Sequence, residues 1–247
     1  MKYLLPYLLC AALTLSSCAL GEASRKQALY HYQMGLSFLG ENNITSALVE
    51  LVEAEKLTPD DPLVLNSLGR AYFGKNKYEL AEQKYLKAIS LKPDYTEAKN
   101  NLGLNYLAMG RWDDAAQQFN IVADDIFYPG QETAMINMGR AYYGKGDYGR
   151  ALSIFRSAVT QNPGNPIARL DLGRVYFATE KTEIAIAEYK KAVALEKNYA
   201  KAHYYLGLAY VKTRDNESAR SSFLEVIRIA PDLEIGYLSR EHLEGLK

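Results

Sequence analysis

The sequence predicts an all-α chain, a solenoid of six stacked helical hairpins closed by a C-terminal helix. Three observations predict it. A glycine after an apolar residue recurs as Met34-Gly35, Leu68-Gly69, Leu102-Gly103, Met138-Gly139, Leu172-Gly173 and Leu206-Gly207, at spacings of 34, 34, 36, 34 and 34. Twelve residues after each glycine stands an alanine: Ala47, Ala81, Ala115, Ala151, Ala185 and Ala219. Four further on comes a bulky apolar residue: Leu51, Tyr85, Phe119, Phe155, Tyr189 and Phe223. A period of this length marks an architecture in which each repeat is one supersecondary unit.

The chain opens on an address. Residues 1–17 read as a signal peptide: Lys2 is the positive end, and Tyr3 to Leu15 is apolar apart from Pro6 and Thr14. That run is shorter than the roughly 20 apolar residues of a membrane-spanning helix and suits a signal core. It ends in Leu15-Ser16-Ser17-Cys18, which resembles the lipobox of bacterial lipoproteins. A leader cut after a small residue, with Cys18 incidental, is the alternative. The resemblance implies that Cys18 becomes the lipidated first residue, carrying diacylglyceryl and N-acyl (palmitate) chains, while Cys10 leaves with the leader. Each buried methylene contributes about 0.8 kcal/mol, so several chains anchor firmly. Ala19 follows the cysteine, where many lipoproteins held at the inner membrane have aspartate; this implies the periplasmic face of the outer membrane. Residues 18–27 are then the lipidated end and a short tether, Ala19 to Gln27 reaching at most about 30 Å.

The body follows as repeats 28–61, 62–95, 96–131, 132–165, 166–199 and 200–233. Each is read as two antiparallel helices joined by a turn such as Gly110-Arg111 or Lys145-Gly146-Asp147. Three residues after the glycine stands Tyr72, Tyr106, Tyr142, Tyr176 or Tyr210, with Phe38 in the first copy. The small pair of glycine and alanine lets two helices cross closely while the bulky residue fills beside them. Pro59, Pro93, Pro163 and Pro231 close four repeats, since proline cannot continue a helix and biases its predecessor to extended geometry. One hairpin cannot bury its own apolar face, so the units stack. Residues 234–247 carry Ile235, Leu238 and Leu243 on one face and read as a capping helix.

This pattern resembles the tetratricopeptide repeat over residues 28–233. The resemblance implies a right-handed superhelix whose first helices line a concave groove for protein partners. The family's groove positions fall on Leu29, Tyr32, Leu36 and Leu39 in repeat one, and on Asn66, Arg70 and Phe73 in repeat two. They fall on Asn100, Asn101, Leu104 and Leu107 in repeat three, and on Ile136, Asn137, Arg140 and Tyr143 in repeat four. Leu170, Asp171, Arg174 and Phe177 follow in repeat five, and Tyr204, Tyr205 and Leu208 in repeat six. The apolar set in repeat one either receives an apolar or amphipathic partner segment or is covered by the chain itself. The asparagines suit a peptide backbone and the arginines suit carboxylates. A solvated polar face with local pairs such as Asp171–Arg174 is the alternative.

Composition narrows the function. The 29 basic and 29 acidic side chains cancel, which argues against a nucleic-acid binder. Both cysteines lie in the first eighteen residues, so the body has no thiol chemistry and no cysteine metal site. His31, His203 and His242 are scattered without metal-ligand spacing. There is no phosphate-binding loop and no nucleophile elbow. The expectation is a chain without catalysis, cofactor, metal or small-molecule substrate.

A lipobox, a short tether and six such repeats resemble the pilotin lipoproteins of type IV pilus systems. The specific point of likeness is the single spacing of 36, between Gly103 and Gly139, which contains Asp125-Ile126-Phe127-Tyr128-Pro129-Gly130. Gly35-Leu36-Ser37-Phe38-Leu39 adds to it, whereas Lys197 stands where a repeat-closing proline is usual. The resemblance implies a protein that helps secretin subunits reach the outer membrane and form their ring. A general periplasmic scaffold for cell-wall enzymes and an outer-membrane barrel assembly factor are the other readings.

Overall fold

The computed structural model describes residues 23–246, so the signal peptide, the lipobox and Cys18 lie outside the described residues. The chain is all-α. Helix α1 covers residues 23–40. It is followed by α2 (Ile44–Leu57), α3 (Pro62–Gly74), α4 (Tyr78–Leu91), α5 (Thr96–Ala108), α6 (Trp112–Ala123) and α7 (Gln131–Lys145). Then come α8 (Tyr148–Gln161), α9 (Pro166–Ala178), α10 (Thr182–Leu195), α11 (Ala200–Thr213), α12 (Asn216–Ile229) and α13 (Glu234–Gly245). Residues 23–27, the end of the segment read as the tether, are helical and continue into the first hairpin.

The hairpin rests on a close approach that only glycine permits. A β-carbon built on Gly69 would sit 2.4 Å from Cε1 of Tyr85, and one on Gly173 2.5 Å from Cε1 of Tyr189. The same holds for Gly35 against Leu51, Gly139 against Phe155 and Gly207 against Phe223. In these five motifs the bulky residue therefore occupies the space a side chain would fill at the glycine. The alanine of each motif is fully buried beside it.

A second device repeats in the turns. Asn42, Asn76, Gly110, Gly146, Glu180 and Arg214 all have positive φ, between 57° and 84°. Each lies seven residues after its repeat glycine. The next N–H then turns back to the carbonyl of the repeated aromatic: Asn43 to Phe38 at 2.8 Å, Lys77 to Tyr72 at 2.9 Å and Arg111 to Tyr106 at 2.9 Å. Asp147 to Tyr142 at 2.9 Å, Lys181 to Tyr176 at 2.8 Å and Asp215 to Tyr210 at 3.0 Å complete the set. This left-handed C-terminal cap satisfies carbonyls that the end of a helix leaves open. The second helix often starts on its own cap. Asn43, Asp147 and Asp215 accept from Ser46, Arg150 and Ser218 N–H.

The chain divides into two compact units, Met1–Arg111 and Trp112–Lys247, the boundary falling inside the third hairpin. In the first, Ala47, Leu51, Ala54, Val64, Leu68 and Ala71 pack with Tyr32, Phe38 and Ile44. Helices α3 and α5, the first helices of successive hairpins, also touch each other. In the second unit, one core runs from Ile136 and Phe155 through Val175 and Tyr189 to Leu206. There α7 touches α9, α9 touches α11, and α11 touches α13. First helices thus meet first helices, so their shared face is the inner one in each unit. Helix α13 closes the second unit. Gly236 lies against the Ala230 carbonyl, Ser239 is buried, and the His242 ring stacks on Phe223 at 5.0 Å.

The two devices respond oppositely to substitution. Gly173→Ala forces a β-carbon against the buried Tyr189 ring and should destabilise by about 1–3 kcal/mol, despite alanine's higher helix propensity. Arg214→Gly removes a left-handed non-glycine residue and should stabilise by about 1 kcal/mol. Urea unfolding followed by circular dichroism reads both, and equal signs would contradict this account.

Candidate functional site

The inner face of the first unit carries two apolar depressions. An open cavity of about 220 Å³ is lined by Leu39, Ile44, Arg70, Phe73, Tyr85, Asn101 and Leu104. It brings together Leu39, Arg70, Phe73 and Asn101 of the predicted groove. A second, of about 310 Å³, is lined by Arg25, Ala28, Leu29, Tyr32, Thr58, Asp61, Leu63 and Val64, gathering Leu29 and Tyr32. Leu36 is half-buried, and Leu29 is 53% exposed. The apolar set of repeat one is therefore only partly covered by the described chain.

The amides of the first unit serve the fold. Asn66, predicted to face a peptide, is buried, and its Nδ2 donates to the Tyr95 hydroxyl at 3.1 Å and to Glu97 Oε1 at 3.2 Å. Its Oδ1 accepts from Asn101 Nδ2 at 2.9 Å. Asn105 is likewise buried and donates to the Tyr78 carbonyl at 3.0 Å. Asn100 is half-buried. Arg70 is the contrast: its side chain is exposed at the mouth of the 220 Å³ cavity and has no ion pair among the described residues.

The second unit arranges its groove charges around one buried carboxylate. Asp171 has 2% of its side chain exposed and accepts from Arg140 Nε at 2.7 Å and from Arg174 Nη1 at 2.9 Å. Arg140 Nη1 also donates to Oδ1 of Asn137, itself buried, at 3.1 Å. The pair read from sequence as part of a solvated face is instead sunk into the helix interface, because α7 supplies a second guanidinium to the same carboxylate. The Arg174 guanidinium lies over the Tyr143 ring at 4.6 Å and the Tyr205 ring at 5.2 Å. Burial opposes its charge, yet the tyrosines and Asp171 hold its pKa above the ordinary value. Its Nε and the Tyr189 hydroxyl are both buried without a hydrogen-bond partner. Phe177 is half-buried under the Lys212 ammonium, 5.0 Å from the ring centre.

The described residues contain no cluster of three histidine, cysteine or acidic side chains able to hold a metal ion. His31 Nδ1 meets Glu50 Oε2 at 2.7 Å, and His203 Nε2 meets the Lys197 carbonyl at 2.9 Å. Asp61 caps α3 by accepting from Leu63 N–H at 2.8 Å, and Asp113 accepts from Lys145 at 2.6 Å. The Trp112 ring fills the space over Gly144. No described helix is long and apolar enough to cross a membrane.

Comparison with known proteins gives the same fold. Sequence models described as TPR repeat match residues 69–110 and 173–213, and models described as tetratricopeptide repeat match 100–166 and 200–233. No curated protein sequence matches the chain. Among solved structures it is similar to PilF of Pseudomonas aeruginosa, at 19% identity over 89% of this chain and 99% of that one, with a TM-score of 0.69. It is similar to PilW, a widely conserved type IV pilus biogenesis factor, at 19% identity over 85% of this chain and 97% of that one, with a TM-score of 0.75. YrrB, a TPR protein with an unusual peptide-binding site, aligns at 18% identity over 77% and 97% of the two chains, with a TM-score of 0.51. Likeness at these identities establishes the fold.

Two outcomes follow from the site's electrostatics. Asp171→Ala leaves two guanidinium groups without their carboxylate and should destabilise by about 3 kcal/mol, measured by urea unfolding, with Asp171→Asn milder. The Tyr95 and Tyr199 hydroxyls are each pushed up to about 12 by burial, then by the charges of Glu97 and Asp171 respectively. In the unfolded chain they release their protons near pH 10. The folded state keeps them longer, so stability is full below about pH 10 and falls as pH rises through 12. Urea midpoints at pH 9 and about 11, read with tyrosinate absorbance, should show the drop; a flat profile would contradict it.

Proposed function

The chain belongs to the tetratricopeptide-repeat family, and from that premise we propose that it is an outer-membrane lipoprotein scaffold that delivers secretin subunits for type IV pilus assembly. Repeats of this family generally hold protein partners, and the inner face offers what such holding needs. The observation that carries the reading is the 220 Å³ cavity of the first unit, with Leu39, Phe73 and Leu104 as walls and the unpaired Arg70 at its mouth. An apolar side chain of the client fills the cavity, while a neighbouring carboxylate or carbonyl accepts from the guanidinium. Shape and the Arg70 charge together limit what enters, and no reaction is required.

Three further features support the finer reading. Leu15-Ser16-Ser17-Cys18 supplies an anchor and hence a destination. The fold is shared with PilF and PilW over most of both chains. The long third period with Tyr128-Pro129 matches the pilotin pattern. In this mechanism Cys18 lipid fixes where the client is released, and the groove keeps its apolar segment from aggregating on the way.

The test is the secretin ring itself. The gene is deleted, then restored as wild type, Cys18→Ser or Arg70→Glu, and heat- and detergent-resistant secretin multimers are measured in outer-membrane fractions. Multimers should vanish on deletion and return at the outer membrane only with the lipidated protein. Arg70→Glu should lower client affinity about tenfold, the scale of one lost charge-assisted contact. Unchanged multimers in the deletion would sink the secretin reading and leave a scaffold for another client.

A further inference from the structure

The two most exposed large apolar side chains among the described residues are neighbours, Ile126 at 77% and Phe127 at 89%. They sit on the connection between α6 and α7, where the glycine period lengthens from 34 to 36. Three comparable connections are polar, Pro59-Asp60-Asp61, Pro93-Asp94 and Pro163-Gly164-Asn165, and the α12–α13 connection exposes a single apolar residue, Leu233. The stack closes at those junctions without any exposed apolar pair, so Ile126 and Phe127 are not needed to join two hairpins.

The connection is held in one shape. The Asp125 carboxylate accepts from Phe127 N–H at 3.0 Å, and Tyr128 N–H donates to the Asp125 carbonyl at 3.0 Å. Gln131 Nε2 donates to the Ala123 carbonyl at 3.2 Å, tying the start of α7 to the end of α6. The Tyr128 ring lies so close over Gly130 that a β-carbon there would meet Cε1 at 2.5 Å. Two apolar side chains are thus displayed on a fixed turn, with Asp124 exposed beside them. An acidic shoulder disfavours an anionic membrane surface and favours a protein pocket with a cationic rim.

We propose that Ile126 and Phe127 form a docking knob that enters an apolar, basic-rimmed pocket on the client subunit. This rests on the secretin reading above. The fixed turn limits the freedom lost on binding. An aromatic anchor seated in a dry pocket is the kind of contact that dominates an interface.

The experiment titrates purified secretin against the detergent-solubilised lipoprotein, as wild type, as an Ile126→Ser/Phe127→Ser double variant, and as Leu224→Ser. Leu224 is an exposed apolar residue on α12 and controls for general stickiness. The double variant should bind about tenfold more weakly or worse, Leu224→Ser should bind as wild type, and both should melt as wild type does. Phe127→Leu should recover part of the loss, and Asp124→Lys should weaken binding most at low salt. Wild-type affinity in the double variant overturns the proposal. So does a double variant whose loss appears only on phosphatidylethanolamine–phosphatidylglycerol vesicles, since the occupant is then lipid. In cells, multimers that survive gene deletion overturn the secretin reading and this proposal with it. Multimers lost on deletion but fully restored by the double variant overturn the knob alone.

Discussion

Every other feature of the repeat depends on one steric constraint, the absence of a β-carbon where a ring must lie. Tyr85, Phe155, Tyr189 and Phe223 each press on a glycine sixteen residues upstream, and Leu51 does the same in the first hairpin. Burying a side chain of this size contributes roughly 1.5–3 kcal/mol, but only if the first helix approaches closely enough to cover it. The close approach then fixes how long each helix can run before the chain must turn. The turn falls seven residues after the glycine, where the chain enters the left-handed region and the repeated aromatic's carbonyl receives its bond. Seat, turn and returning alanine are therefore one geometric unit, which spans sixteen residues from glycine to bulky residue and recurs once in each period of 34 or 36.

That unit is legible in sequence because its parts are residue types with few substitutes. A glycine under a ring, an alanine at a crossing and an aromatic above a turn recur in register and announce themselves. The turns are only partly legible. Gly110 and Gly146 are obvious, whereas Glu180 and Arg214 adopt the same positive φ although their side chains disfavour it. There the hairpin geometry overrides the local preference of the residue. The groove is less legible still. Asn66 and Asn137 occupy the right positions for exposure but are buried: Tyr95, Glu97 and Asn101 from neighbouring elements engage Asn66, and Asn137 accepts from Arg140, which Asp171 holds in place. A one-repeat pattern says where a side chain starts; the adjacent repeat decides whether it is still free.

Those committed side chains have a physical use. Hairpins built on one template could stack in shifted order with little loss of apolar burial. Buried polar groups remove that degeneracy where they are satisfied by a partner that the neighbouring hairpin must bring in register. Asp171 needs Arg140, from α7 of the preceding hairpin, as well as Arg174 from its own helix. Buried ion pairs of this kind contribute little net stability, but a mispairing leaves a charge desolvated and costs several kcal/mol. The Asn66–Asn101 and Arg140–Asp171 contacts fix how one hairpin registers on the next.

The same reasoning locates recognition. A guanidinium already in a desolvated ion pair cannot be redirected to a client without breaking that pair, a cost of about 3–5 kcal/mol. Arg140 and Arg174 are in that position, and the Tyr143 and Tyr205 faces are already turned to Arg174. Binding energy must instead come from groups whose hydrogen-bonding capacity is open in the folded chain. Arg70, at a cavity walled by Leu39, Phe73 and Leu104, is such a group. Under the proposed function, the open groups of the first unit discriminate among clients, while the Arg140–Asp171–Arg174 cluster of the second unit holds its own helices in order.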